Sequence, residues 1–239
     1  MTTVQGIVRH CINNTQTQFE RLGYVATNFA NYSTNGYKCV RFEQMLDESG
    51  YLTGVGRTNV VQGSVMLTGN PYDIALKDDG YIPVTSPDGE VQYTRDGSFK
   101  QGKDGYLVTN DGWLVGDGIK IPTNIYRFSI KDDGRVMVMD DKLSDKEREI
   151  GKISIVRFNN PEALEKGAPN KMKATEESGE ATLVKDHHII AQNALERANI
   201  NIYDAVNEML RLNASMIASM RMAKIADDLY NKSINLRES

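Results

Sequence analysis

Carboxylates on predicted loops are the most frequent chemically active groups in this sequence. Asp-Gly pairs occur seven times, at positions 79–80, 88–89, 96–97, 104–105, 111–112, 117–118 and 133–134. Paired carboxylates can catalyse glycoside hydrolysis, and loop carboxylates can bind calcium. The sequence has no D-x-D-x-D-G loop with a closing Glu, however. Asp before Gly is also what a type I′ turn or a G1-bulge loop prefers, and we interpret the series as turn chemistry.

The histidines and cysteines do not have the spacing of a catalytic or metal site. His187 and His188 are adjacent, so they would point to opposite faces of a strand, and His10 is the only other histidine. Cys11 and Cys39 fit no metal or redox motif. We expect two free thiols, with a disulfide between them as the alternative. The sequence therefore predicts no catalytic residue, no cofactor-binding residue and no metal ligand.

Composition excludes several classes of partner. The 239 residues are 40% hydrophobic and 25% charged, which is enough apolar content for a folded core. A net charge of −4 gives no general attraction to nucleic acid. No segment approaches the roughly 18 apolar residues of a membrane span, so we expect no membrane insertion. The first residues have no secretory signal, which predicts a cytoplasmic chain unless its export uses another route.

Both ends of the chain have the apolar spacing of a long amphipathic helix. Over residues 3–30 and again over 195–235, apolar side chains recur in alternating steps of four and three, which is typical of a helix with a heptad-like seam. Asn201 is the expected N-cap of the second helix. The residues that we expect to form the assembly helices are Val4, Val8, Cys11, Leu22, Val25, Phe29, Ile202, Met209, Leu212, Met216 and Ala223.

One pair of helices would cover only part of these apolar faces. Further apolar residues, such as Phe19 in the first helix and Leu210 and Ile217 in the second, widen each stripe. Neighbouring subunits could cover the remainder, and a contact that does not close on itself would produce a helical filament.

The middle of the chain, from about 60 to 185, has the pattern of an antiparallel β-domain. Short runs rich in aromatic and β-branched residues alternate with the Asp-Gly pairs, and the first six pairs lie at intervals of six to nine residues. Such intervals are too short for the helices of βαβ units and predict a tight antiparallel meander. The fold class is therefore α+β, with a β-domain inserted between two helices. The expected segments are an N-terminal helix in 1–35, a connector in 36–70, the β-domain in 71–183, a return connector in 184–200 and a C-terminal helix in 201–239.

A cluster of turn-forming residues ends the first helix. The stretch "NFANYSTNGYK" at 28–38 supplies short polar side chains and a glycine that tolerates positive φ. It predicts a helix C-cap followed by a turn into the connector. Its motif residues are Asn28, Ala30, Asn31, Ser33, Thr34, Asn35 and Gly36.

Three stretches together resemble bacterial flagellar rod and hook proteins. "ATNFANYSTNGYK" at 26–38 is similar to the signature that ends the first helix of that family. "TGNPYDIALKDDGYIPV" at 68–84, with the residues at 93–122, resembles the core of its β-domain. "ALERANINIYDAVNEML" at 194–210 resembles the entry into its C-terminal helix. The three stretches occur in the family's order and span most of the chain.

The resemblance implies a structural role. Terminal helices of the family form a coiled-coil-like tube with the β-domain outside, so the implied function is a subunit of the basal-body rod that transmits motor torque to the hook. The implied partners are other rod and hook subunits, copies of the chain itself, and the flagellar type III export apparatus. The implied location is the periplasmic rod, reached without a cleaved signal.

Two features depart from the family and leave alternatives. The short connector after Lys38 and the ending "ADDLYNKSIN" favour a proximal over a distal rod subunit. A periplasmic peptidoglycan-active enzyme with an acid pair on the β-domain is an alternative function. A third hypothesis is a scaffold or adhesin that uses the same fold away from the flagellum.

Overall fold

A long α-helix lies near each end of the chain in the computed structural model, which describes residues 4–142, 146–185 and 188–235. The chain divides into two units. The helical unit contains Met1–Asn31, Val40–Thr58 and Ile200–Ser239, and the β unit contains Tyr32–Cys39 and Asn59–Asn199. The α+β class is therefore confirmed, with antiparallel sheets between the two helices.

The two helices pack against each other in the helical unit. α1 spans Val4–Ala30 and α2 spans Ile202–Asn235. Their contacts run in opposite directions along the two sequences, so the pair is antiparallel. Asn201 caps α2 as predicted, because its Oδ1 accepts a hydrogen bond of 3.0 Å from the backbone N–H of Tyr203.

A β-hairpin completes the helical unit. It consists of β1 (Val40–Leu46) and β2 (Leu52–Thr58), which pair in register along their whole length. The sequence treats these residues as part of a connector. The Tyr24 ring on α1 packs 5.4 Å from the Phe42 ring on β1, so the hairpin lies against α1.

Among the described residues, the remaining sixteen strands are short and belong to the β unit. They are β3 (Val65–Leu67), β4 (Ile74–Leu76), β5 (Ile82–Thr85), β6 (Val91–Thr94), β7 (Phe99–Gln101), β8 (Leu107–Thr109), β9 (Leu114–Val115), β10 (Arg127–Ile130), β11 (Arg135–Met139), β12 (Arg148–Lys152), β13 (Val156–Arg157), β14 (Glu165–Lys166), β15 (Met172–Lys173), β16 (Thr182–Leu183), β17 (Ile190–Gln192) and β18 (Ala194–Glu196).

The strand pairing is antiparallel, as predicted, but it is not one continuous meander. The largest sheet has the order β14-β15-β6-β5-β9-β8-β7. The hairpin β5–β6 and the run β7–β8–β9 are local, but β5 joins them by pairing with β9. Strands β17 and β18, in the predicted return connector, pair with β4 and β3 near the start of the β unit.

Four of the seven Asp-Gly pairs, at 88–89, 104–105, 111–112 and 133–134, form hairpin loops of the G1-bulge kind. The pair at 96–97 was also predicted as a turn, but it lies outside the turns and Gly97 does not have positive φ. In the loop 86–90, the N–H of Gly89 donates to the Ser86 carbonyl at 3.0 Å, and the N–H of Ser86 donates to the Glu90 carbonyl at 2.8 Å. Gly89 has φ +86, but Asp88 is not among the residues with positive φ, as a type I′ turn would require. The same hydrogen-bond pattern occurs at 47–51, 102–106, 109–113 and 131–135.

The main core of the β unit is aliphatic. Its fully buried side chains include Ile74, Leu76 and Ile82, and Phe99 is its only buried aromatic residue in the described chain. Trp113 packs against this core with part of its surface exposed, whereas Tyr126 is 52% exposed and contributes little to the core. Aromatic residues therefore line the core rather than fill it.

Candidate functional site

A buried ion cluster joins three distant parts of the sequence within the β unit. Lys38 lies two residues before β1, Arg95 follows β6 and Glu196 ends β18. The Lys38 Nζ lies 2.7 Å from Glu196 Oε1, and the Arg95 Nη2 lies 2.7 Å from Glu196 Oε2. All three side chains are at most 4% exposed. We call Lys38, Arg95 and Glu196 the ion cluster.

Backbone groups satisfy most of the remaining hydrogen-bonding capacity of the ion cluster. Arg95 Nη1 donates to the carbonyls of Asp78 and Gly80 at 2.8 and 2.7 Å. Lys38 Nζ donates to a further backbone carbonyl, that of Val61, at 2.9 Å. Burial lowers the pKa of Lys38, and the Glu196 carboxylate opposes this shift. Removing the carboxylate would leave two buried cations facing each other, which is far costlier than losing an exposed pair.

Gly36 is held next to the ion cluster by a backbone hydrogen bond. Its N–H donates to the Glu196 carbonyl at 2.7 Å, and its φ is +67. A Cβ at this position would lie 2.4 Å from the Arg95 carbonyl carbon and 2.5 Å from the Asp96 nitrogen. Both atoms belong to backbone, so neither can rotate away. The sequence singles out Gly36 as a turn residue, and the structure gives the reason that only glycine fits.

Asn199 also holds distant parts of the chain together through its side chain, and the sequence did not indicate this role. Its Oδ1 accepts a hydrogen bond of 2.8 Å from the Cys39 N–H. Its Nδ2 donates to the carbonyls of Asn59 and Val61, each at 2.8 Å. One side-chain amide thus binds the chain on both sides of the hairpin. It lies within the "ALERANIN" stretch, but no pattern in the sequence distinguishes it from the neighbouring asparagines.

The other motif residues at the end of α1 contribute unequally. Asn28 pairs with the backbone of Val40, because its Nδ2 donates to the Val40 carbonyl at 2.8 Å and its Oδ1 accepts from the Val40 N–H at 2.9 Å. Asn31 continues the helix by donating its N–H to the Thr27 carbonyl. The side chains of Ala30 and Ser33 are exposed, and those of Thr34, Asn35 and Asn31 are half-buried.

Asn13 binds both backbone groups of one hairpin residue, as Asn28 does, but at the other end of the hairpin. The sequence did not indicate this contact. Its Nδ2 donates to the Leu52 carbonyl at 2.9 Å, and its Oδ1 accepts from the Leu52 N–H at 2.7 Å. His10 stacks on Tyr51 beside it, with ring centroids 4.8 Å apart. Asn13 and Asn28 therefore hold the hairpin to α1 near both of its ends.

The predicted assembly residues lie on α1 and α2, which pack against each other along one seam, and all but one of them are buried or half-buried. Leu212 and Met216 are buried, whereas Phe29 is exposed. The half-buried members of the set are Val4, Val8, Cys11, Leu22, Val25, Ile202, Met209 and Ala223.

Polar contacts also cross this seam. Asn14 Nδ2 donates to Ser219 Oγ at 2.7 Å, and Ser219 is buried. Arg21 forms an ion pair with Glu208. Both contacts join α1 to α2 and agree with the antiparallel direction of the two helices.

A second set of apolar residues on the helices is exposed. Phe19 on α1 is 56% exposed, and Leu210 and Ile217 on α2 are 63% and 52% exposed. The other large apolar residues that are exposed on the two helices are Ile7, Ile12, Phe29, Tyr203, Val206, Met220, Met222, Ile225, Leu229 and Tyr230. We call these thirteen residues the exposed apolar stripe. Contiguous exposed apolar surface of this kind is typical of a protein–protein interaction site.

Two carboxylates of the Asp-Gly series share one cleft, and each of them is engaged by neighbouring side chains. Asp96 and Asp111 line one cleft of about 170 Å³, which is below the ~300–1,000 Å³ of ordinary ligand sites. Burial opposes the ionisation of Asp111, but hydrogen bonds from Lys171 and Thr109 outweigh it and lower its pKa. Asp111 is thus engaged in an ion pair with Lys171. Burial raises the pKa of Asp96, whose Oδ1 accepts two hydrogen bonds from Ser98.

The remaining chemical candidates are isolated. Cys11 and Cys39 are free thiols. His188 lies 3.0 Å from an Asp132 oxygen on the surface, and His187 lies outside the described residues. Across residues 4–142, 146–185 and 188–235, no group of three or more His, Cys, Asp or Glu side chains could hold a metal ion. Neither described helix has the length and apolarity needed to cross a membrane.

Comparisons with known proteins converge on one family. A family model described as the flagellar hook protein FlgE/F/G D1 domain matches residues 75–138, inside the β unit. Flagellar basal-body rod protein FlgF of Caulobacter vibrioides is 30% identical to this chain, over 91% of the chain and 90% of the relative. Flagellar basal-body rod protein FlgG of Bacillus subtilis is 29% identical over 95% of this chain and 96% of its own length. FlgG of Buchnera aphidicola subsp. Baizongia pistaciae is 27% identical, over 88% and 92%.

Proposed function

This chain belongs to the family of flagellar rod and hook proteins, and we propose on that basis that it is a structural subunit of the bacterial flagellar basal-body rod. It is a structural protein and not an enzyme, in keeping with relatives that are named as rod proteins. Its place in the cell is the rod of the basal body.

The exposed apolar stripe is the observation that carries this proposal. Because α1 and α2 already bury one seam between them, the stripe is a second surface that requires another molecule. Burying a side chain such as Leu210, Ile217 or Phe19 contributes roughly 1.5–3 kcal/mol. Several such side chains on one subunit therefore provide enough apolar area to drive polymerisation.

A helical tube is the assembly that fits such a subunit. In such a tube, each copy or related subunit would cover the exposed apolar stripe of its neighbour. A repeated contact that does not close on itself produces a helical shaft. The partners are other axial subunits of the rod and hook, together with copies of this chain. Delivery to the shaft requires the flagellar export apparatus.

Torque transmission requires that the subunit not deform under load. The hydrogen bonds of Asn13 and Asn28 brace α1 with the hairpin, and the contacts of Asn14 and Arg21 lock α1 to α2. Interlocked helices of this kind form a stiff wall through which rotation passes to the hook. The short connector and the ending of the chain favour a proximal position in that wall over a distal one.

The experiment places charges in the exposed apolar stripe. A strain that produces the chain with both Leu210→Asp and Ile217→Asp should export it but leave it out of purified basal bodies. Asn213→Asp provides the matched control, because it adds a charge to an exposed polar position of the same helix. Circular dichroism of the purified chains checks that folding is equal. Normal amounts of the double variant in basal bodies would contradict the proposal.

A further inference from the structure

Asn35 and Gly36 form the only Asn-Gly pair in this sequence. We propose that this pair is a site of spontaneous deamidation that is reactive in the unfolded chain and blocked in the folded β unit. We also propose that the isoaspartyl product prevents the β unit from closing around the ion cluster. The proposal concerns the chain itself and does not depend on its role in the rod.

The chemistry needs only the chain and water. The backbone nitrogen of Gly36 attacks the side-chain carbon Cγ of Asn35, a new C–N bond forms, and the bond from Cγ to Nδ2 breaks. The Gly36 amide proton leaves with the departing nitrogen as ammonia, which gives a five-membered succinimide. Water then opens either of the two imide C–N bonds, so that residue 35 becomes aspartate or isoaspartate. Gly36 is the most permissive successor for this attack, because it has no side chain to shield its nitrogen.

The fold withholds the attacking nitrogen. The N–H of Gly36 donates to the Glu196 carbonyl at 2.7 Å, and the residue is buried. The Asn35 carbonyl accepts a hydrogen bond of 2.7 Å from Asn170 Nδ2, which fixes the other end of the same peptide. Cyclisation requires both contacts to break and the peptide to rotate. It can therefore proceed only through local opening of the β unit, which is rarer than in an unfolded chain.

The isoaspartyl product does not fit the native backbone. It adds one methylene to the main chain between residues 35 and 36 and would displace Gly36. A single Cβ on Gly36 would already lie 2.4 Å from the Arg95 backbone, so there is no room for this displacement. The Gly36 hydrogen bond to Glu196 would be lost with it.

The product also places a new charge beside an existing one. In isoaspartate, the carbonyl group that Asn170 now binds is replaced by a free carboxylate. The same Asn170 Nδ2 donates to Asp96 Oδ2 at 3.3 Å. Two carboxylates would then share one amide in a half-buried setting, and burial already disfavours the ionised form of Asp96. Both the geometry and the charge of the product oppose refolding.

The test incubates the purified full chain at neutral pH with and without urea and follows residue 35 by peptide mapping and mass spectrometry. Deamidation at Asn35 should be about tenfold or more faster in urea, as expected for a reaction that needs local opening. Asn199 serves as an internal control, because the residue that follows it is Ile200, whose side chain shields the backbone nitrogen that would attack. Deamidation of Asn199 should therefore stay low in both samples. The aged urea sample is then returned to buffer and separated into folded and unfolded fractions. Isoaspartate at position 35 should be enriched in the unfolded fraction about tenfold over the folded one.

Three results would overturn the proposal. Equal rates in buffer and urea would show that the fold does not protect the site. No conversion at Asn35 in urea would show that the site is unreactive. An isoaspartyl chain that refolds as fully as the unmodified chain would show that the product fits. The variant Asn35→Asp, which adds charge without lengthening the backbone, should refold better than the isoaspartyl chain.

Discussion

Replacing Gly36 by alanine should destabilise the β unit by far more than the loss of one glycine normally does. A non-glycine residue at φ +67 costs about 1–2 kcal/mol by itself. The added Cβ would meet backbone atoms at 2.4–2.6 Å, so the chain must shift and the hydrogen bond from Gly36 to Glu196 is strained or lost. Leaving a buried backbone group unsatisfied costs a further ~1–3 kcal/mol. We therefore expect a loss of roughly 2–5 kcal/mol in the free energy of unfolding.

Gly89 supplies the matched control for this experiment. It has φ +86, but an added Cβ would find nothing within 4 Å. Gly89→Ala should therefore cost only the conformational term of about 1–2 kcal/mol. Urea unfolding of the full chain can be followed by the fluorescence of Trp113, the only tryptophan, which packs against the core of the β unit. Equal losses for Gly36→Ala and Gly89→Ala would refute the argument that close backbone approach makes position 36 special.

Three further experiments test the contacts described above. Glu196→Gln should cost about 3–5 kcal/mol in the same urea assay, because it leaves two buried cations without a counter-charge; a loss below ~1 kcal/mol would show that the cluster is not electrostatically coupled. Arg21→Glu and Glu208→Arg should each increase hydrogen exchange along the helix seam, whereas the double variant should restore protection; failure of the double variant to do so would argue against this ion pair as a register contact. Burial raises the folded-state pKa of Asp96 above its unfolded value, so the free energy of unfolding of the unmodified chain, relative to that of Asp96→Asn, should fall as pH rises above ~4. Urea unfolding of both chains at pH 4 and pH 7 measures this, and an equal difference between the two chains at both pH values would contradict the burial of a charge there.

The sequence predicted the elements that depend on local interactions. The two helices follow from apolar spacing over successive turns. Asn201 was predicted as a cap because it directly precedes the first turn of α2. The hairpin loops follow from Asp-Gly pairs, because positive φ at the glycine is a property of a few consecutive residues. The family resemblance added the order of the parts and the expected role.

Contacts between distant residues were not predictable from one sequence. The pairing of β5 with β9 skips three intervening strands, and no local signal distinguishes it from a continuous meander. The sequence predicted only a connector over 36–70, and the structure has a hairpin there whose backbone groups bind Asn13 and Asn28. An asparagine on a helix has no pattern that shows what its amide will contact.

The ion cluster illustrates both the reach and the limit of sequence reasoning. Gly36 was identified as a turn residue with positive φ, and its conformation agrees with that. The reason for its importance comes from Arg95 and Glu196, which lie 59 and 160 positions further along the chain. Charged residues usually indicate a solvated surface, so a buried Lys38 could not be told apart from the other lysines.

Electron cryomicroscopy of isolated basal bodies that contain this chain would show whether it is a subunit of the rod. If this chain is a rod subunit, α1 and α2 will lie within the wall of the rod, with Phe19, Leu210 and Ile217 buried against neighbouring subunits. A map in which the chain lies outside the shaft, or in which this exposed apolar stripe still faces solvent, would contradict that role.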